Sequence, residues 1–164
     1  MDLFVSITSL ILSTIAIIVS IYTVQHQNKL HLFDKRYETL AMLSFLMSVA
    51  KLSIENCNQF EKDILNIGRE SYYDINYLGK QTTQDCSLND FYLNICLSTI
   101  KLQFLFPKRH IKLCKKFLHK FMDYCSATLN DQDSTIHKKE LSDLINEMEQ
   151  TKTLEKLDSY MKIG

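Results

Sequence analysis

Apolar positions along the chain form one unbroken block, followed by segments in which they recur every third or fourth residue. From Leu3 to Val24 there are 22 residues without a charge. As a helix that stretch is about 33 Å long, matching a bilayer hydrocarbon core of about 30 Å. A cleaved signal peptide opens with a positive region and closes at a small-residue site. Here Asp2 precedes the run and Ile21-Tyr22-Thr23-Val24 makes a poor cleavage site. A retained transmembrane helix over residues 1–24 is therefore predicted.

Within that block Ser6, Ser9, Ser13, Ala16, Ser20 and Thr23 follow at spacings of 3, 4, 3, 4 and 3. In lipid, apolarity does not drive helices together, so association relies on small residues that permit close backbone approach. The stripe reads as an association surface, and the simplest partner of a one-span chain is another copy of itself. The alternative is that each hydroxyl merely bonds back to its own helix.

After Val24 no Gly or Pro stops the helix, and Leu30, Phe33, Tyr37 and Leu40 keep a helical period. Residues 25–57 read as a membrane-proximal stalk leading into a core helix. The run Leu40–Ala50 (LAMLSFLMSVA) is too short to span a bilayer and suits a buried core. Residues 58–129 read as a helical bundle. One helix is expected from about Asn58 to Leu78, then a loop at Gly79–Ser87. A helix from Leu88 to about Leu105 follows. Phe106-Pro107 forces a boundary, because a residue before Pro is pushed out of the helical region. An amphipathic helix then carries Ile111, Cys114, Phe117, Leu118, Phe121, Met122 and Cys125 on one side. Residues 130–164 read as an acidic carboxy-terminal helix that restarts near Thr153. The expected class is all-α: one transmembrane helix continuing into a bundle of four to five helices.

Charge fixes the orientation. The chain is neutral overall, with 19 basic and 19 acidic residues, so no global field recruits nucleic acid. Only Asp2 precedes the span, whereas Lys29, Lys35 and Arg36 follow it. That asymmetry places the amino terminus outside and the rest in the cytoplasm. Five Cys, an odd number with no CxxC pair, fit reduced cytosolic thiols.

Locally the charges segregate. Lys29, Asp34, Lys35, Arg36 and Glu38 cluster beside the span. As a functional brace, Lys35 and Arg36 would face lipid phosphates while Asp34 or Glu38 docked the domain; as plain surface they would pair with one another. Lys108, Arg109, Lys112, Lys115, Lys116 and Lys120 line the polar side of the amphipathic helix. From Asp131 to Asp158 there are eight acids against four Lys. The basic face could pair with that acidic helix, or meet anionic lipid or an acidic protein partner.

Enzyme signatures are missing from the sequence: no GxSxG, no GxxxxGK[ST], no HExxH and no GxGxxG. His110 and Cys114, four apart, have zinc-ligand spacing, but a full site needs two more ligands. No catalytic residue, metal or cofactor is assigned.

LFDKRYE (Leu32 to Glu38) and QFLFPKRHIKLCKKFLHKF (Gln103 to Phe121) resemble segments of small bacterial single-span membrane proteins. In those proteins an LFDKR-type motif follows the span and an FLF-type motif opens a later helix. The resemblance covers roughly 26 of the 164 residues. It implies a bacterial inner-membrane protein with a helical cytosolic part, and it transfers no catalytic or binding residue. The extra acidic carboxy-terminal helix departs from the pattern. Together these readings describe a non-enzymatic, self-associating membrane effector or signal-responsive module acting in an anti-phage or stress response. The alternative is an anchor or accessory subunit for a partner protein.

Overall fold

The computed structural model describes residues 2–55, 61–76 and 87–161, without the side chains of 2–11 and 72–76. Among the described residues there are six helices and no strand. They are α1 (Asp2–Glu55), α2 (Glu61–Asn76), α3 (Leu88–Leu105), α4 (Lys108–Leu129), α5 (Thr135–Gln150) and α6 (Thr153–Ser159). The all-α class is as expected. Asn58, Tyr77, most of the Gly79–Ser87 loop, Cys57 and Cys86 lie outside the described residues.

The stretches read as span, stalk and core helix are one element. α1 runs for 54 residues without Gly or Pro, about 81 Å at 1.5 Å per residue. It is the one described helix long and apolar enough to cross a membrane. Its apolar residues fall into two zones with opposite environments. Leu12, Ile15, Ile17, Ile18, Val19 and Ile21 are exposed, whereas Leu43, Leu46 and Ala50 are fully buried. The Leu40–Ala50 run thus belongs to the bundle core, apart from the uncovered Ala41 and Ser48.

The bundle closes around the last third of α1. Both α1 and α4 pack on α2, α3, α5 and α6, and the core lies between them: Ile95, Leu102, Phe117, Leu118, Phe121, Leu141, Met148 and Leu157. Phe117 stacks on Phe121 at 5.9 Å, and Phe91 meets Phe121 edge-on at 6.4 Å, the offset and T-shaped geometries that aromatic quadrupoles favour. α2 approaches α1 so closely at Gly68 that a Cβ there would lie 2.6 Å from Val49 Cγ1.

Local chemistry sets the helix ends. The Ser87 hydroxyl accepts from the Asp90 amide at the start of α3. Phe106 is extended, as a residue before Pro should be, so α3 ends and α4 begins around Pro107. At the far end of α4, Asp131 takes a left-handed conformation (φ 56°) without a glycine. Gln132 N–H then donates to the Ala127 carbonyl at 2.8 Å, which closes the helix as a Schellman turn. Here the Asp133 carboxylate, rather than Ser134, accepts from the Thr135 amide at the start of α5. The Thr135 hydroxyl first, and then this amide bond, lower the Asp133 pKa.

Candidate functional site: the stalk end of the bundle

At the end of the bundle from which α1 projects, three elements meet at one side chain. Arg36 Nε donates to the Leu105 carbonyl at 3.0 Å, and its Nη1 donates to the Tyr160 carbonyl at 3.2 Å. Leu105 is the last residue of α3, and Tyr160 is the C-cap of α6. Carbonyls at helix C-termini lack intrahelical donors and carry the negative end of the helix dipole. One guanidinium therefore satisfies two such ends. Its planar fork lets two nitrogens reach two acceptors at once, which an ammonium on a flexible stem does less well.

Tyr160 extends the junction to α4. Its hydroxyl accepts from Arg109 Nη2 at 3.1 Å, and its ring lies 5.3 Å from that of His110. Arg109 Nε also donates to His110 Nε2 at 2.7 Å. The stretches LFDKRYE and QFLFPKRHIKLCKKFLHKF therefore touch: Arg36 belongs to one, and Leu105, Arg109 and His110 to the other.

This geometry reverses part of the expected brace. Arg36 turns inward and docks the bundle, while Asp34 and Glu38 are exposed. Lys35 pairs with Glu38 at 3.1 Å, and Lys29 is exposed without an ion pair among the described residues. The reversal follows from chemistry that a charge count does not show. The groups needing a partner at this place are carbonyls, which call for a hydrogen-bond donor such as a guanidinium and are not served by a carboxylate.

In the small-residue stripe of the apolar part of α1, Ser20 and Thr23 donate to the carbonyls of Ala16 and Val19, each at 2.8 Å. This back-bonding leaves their small side chains on the exposed surface, with Ser13 and Ala16 exposed as well. Ser6 and Ser9 lie outside the described side chains.

The basic face of α4 divides in two. Towards its far end, Lys120 donates to Glu140 at 2.7 Å and lies 3.8 Å from Asp123. Lys116 and Lys120 face Glu140, Asp143 and Glu147 across a shallow groove of about 240 Å³. The Lys120 hydrogen bond lowers the Glu140 pKa and raises that of Lys120. Lys115 is half-buried. At the stalk end Lys108 and Lys112 are exposed without ion pairs among the described residues, and Arg109 is held by Tyr160.

His110 and Cys114 do not converge on a common point. His110 faces Tyr160, whereas Cys114 is fully buried, and burial pushes its thiol up to about 12. No group of three or more His, Cys, Asp or Glu that could hold a metal occurs among the described residues.

Two features escape a sequence reading. One is the Tyr160 junction. The other is a buried polar network in which the Tyr124 hydroxyl lies 2.7 Å from Ser53 Oγ and donates to Glu61. Lys138 completes it, 3.5 Å from Glu61. Tyr124 and Ser53 are both 0% exposed, and the network ties α1, α2, α4 and α5 together. Burial first, then the Glu61 contact, raises the Tyr124 pKa. The available signal was Tyr124 itself, three residues after Phe121 on the apolar side of α4. Compared with known proteins, the chain matches no family model, no curated protein and no solved structure.

Proposed function

We propose that this chain is a non-enzymatic, single-pass inner-membrane protein of a bacterium that self-associates through its span. In this reading its cytosolic bundle acts as a signal-responsive module, and the span is the effector that alters the membrane, in a defence against phage or in a stress response. One observation carries the proposal: α1 is a single helix that supplies both the exposed apolar segment and the centre of the bundle core. A helix without Gly or Pro does not bend cheaply, so a partner that shifts the bundle moves the span as well. The Arg36 latch adds to this, because it fixes α3 and α6 to α1 where the rod leaves the bundle.

The bilayer is the first partner, another copy the second, and an acidic protein at Lys108 and Lys112 a third. The competing reading is an anchor or accessory subunit, in which the span only holds the bundle near a partner. Replacing residues 3–24 with an unrelated polyleucine helix separates the two. An effector loses its effect on membrane potential in cells, whereas an anchor keeps working. Within the native span, Ser9→Leu with Ser13→Leu abolishes depolarisation on overexpression. Unaltered potential with the native sequence ends the effector reading.

A further inference from the structure

Between the span and the bundle α1 is uncovered, and three of the four large apolar side chains exposed there share one side, Leu32 being the exception. Leu30, Phe33 and Tyr37 lie on one side of the rod at spacings of 3 and 4, and they are 53, 44 and 59% exposed. Charge flanks this stripe asymmetrically. Lys29 borders one edge and Asp34 the other, both exposed and without ion pairs among the described residues. Leu30 and Tyr37 also continue the seven-residue column of Ser9, Ala16 and Thr23 from the span.

We infer that this stripe is the face on which a second copy of the chain docks, forming a short parallel coiled coil between the bilayer and the two bundles. The inference rests on the membrane-anchored, self-associating reading above. If both copies enter the membrane in the same sense, their stalks are parallel. With Leu30 and Tyr37 at a positions and Phe33 at d, Lys29 falls at g and Asp34 at e. In a parallel pair, g of one helix faces the e position five residues on in the other. Lys29 therefore meets Asp34 of the second copy, and the pair repeats across the two-fold axis. An antiparallel pairing would instead set like edges against each other. Arg36, at the next g position, is occupied by Leu105 and Tyr160. Lys35 is paired with Glu38 within its own chain. The two uncommitted charges beside the stripe are thus the two that the parallel register brings together.

The test uses the full chain in native membranes, with a photoreactive benzoylphenylalanine at 30, 33 or 37 and, as off-stripe controls, at 28 or 32. Adducts of twice the chain mass from 30, 33 and 37 but not from 28 or 32 are expected. Adducts equal at all five positions, or adducts only to lipid or other proteins, overturn the inference. Lys29→Glu should lower the yield at 33 about fivefold, two exposed ion pairs being lost and replaced by repulsion. Adding Asp34→Lys should restore it, and a loss without rescue is contrary. The same probe at Ser13 and Ser20 separates the two readings. Adducts in the span without adducts in the stalk refute only the stalk contact, and adducts in neither also refute self-association.

Discussion

Arg36 and Leu105 are 69 residues apart in the chain, and a 3.0 Å bond joins the guanidinium of one to the carbonyl of the other. The same guanidinium holds Tyr160, 124 residues away, so one side chain closes the first, third and last helices at the point where the rod emerges. Removing it leaves two part-buried carbonyls without donors. Arg36→Ala is expected to lower stability by about 2–3 kcal/mol, the range for lost charge-assisted hydrogen bonds. Arg36→Lys should recover only part of that. Urea unfolding of the purified full chain in detergent reads the loss, and hydrogen exchange should locate it in α6. An Arg36→Ala midpoint equal to the parent's contradicts the latch.

Tyr124 gives a second expectation, away from the stalk. Tyr124→Phe keeps the ring in the core but removes the hydroxyl between Ser53 and Glu61. Ser53 is then left buried with one partner fewer, which costs about 1–2 kcal/mol. Ser53→Ala with Tyr124→Phe should cost less than the sum of the single changes, because both delete the same bond. Strict additivity in a double-mutant cycle would mean that the two hydroxyls do not interact.

Much of this architecture is written locally, and what is not depends on distant partners. Phe106-Pro107 marks the α3–α4 boundary because Pro constrains its neighbour whatever the tertiary context. The period of Leu141, Leu144, Ile145 and Met148 marks a core face for the same local reason, and the restart at Thr153 is seen as α6. Arg36 was opaque. A cation among Asp34, Lys35 and Glu38 looks like solvated helix surface, and its acceptors come from helices that end 69 and 124 residues later. Half of α3 was opaque too. Phe91, Ile95 and Leu102 are buried, but Leu93, Leu97, Ile100 and Phe104 form a second apolar face, uncovered among the described residues, with Phe104 84% exposed. Periodicity distinguishes one wet face from one dry face, and it loses that power when both are apolar.

The charge map yields an expectation in pH. Lys120's hydrogen bond depresses the Glu140 pKa below its ordinary 4.5. A depressed folded-state value means that the carboxylate's contribution is present above 4.5 and is lost as pH falls through the lower folded value. Lys120 is raised above its ordinary 10.5, so its share is present below that value and lost as pH rises through the folded one. Glu140→Gln should therefore be slightly less stable than the parent at neutral pH, with the gap closing through the acid carboxyl range. Both groups are solvent-exposed, so the effect is small and salt-sensitive. A gap that stays constant down to full protonation would assign it to packing.

Cysteine reactivity should divide by burial. Cys96 is exposed, whereas Cys114 and Cys125 are buried, and desolvation raises both buried thiols, Cys114 to about 12. Thiolate is the reactive form, so alkylation of the native chain at mildly alkaline pH should modify Cys96 and spare the other two until denaturant is added. Peptide mass mapping reads each site separately. Native-state labelling of Cys114 as fast as Cys96 would mean that the α4 core opens readily.

The close fit of α2 against α1 at Gly68 offers the sharpest test of packing. Gly68 lies mid-way along α2, where glycine costs about 1 kcal/mol relative to alanine in an unconstrained helix. Gly68→Ala would therefore stabilise an exposed helix. Here the added carbon would meet Val49 Cγ1 at 2.6 Å and Cγ2 at 3.0 Å, and both methyls belong to a branched side chain on the buried side of α1, stiff at χ1. The helices must separate or Val49 must leave its rotamer. Overpacking of this kind costs about 1–3 kcal/mol, so the sign reverses and Gly68→Ala is destabilising by urea unfolding. Val49→Ala alone is also destabilising, through lost burial and the space it leaves. Combined, the two should be milder than their sum by at least about 1 kcal/mol, because the new methyl enters the volume the old ones vacated. Additive losses would place α2 farther from α1 than this contact requires.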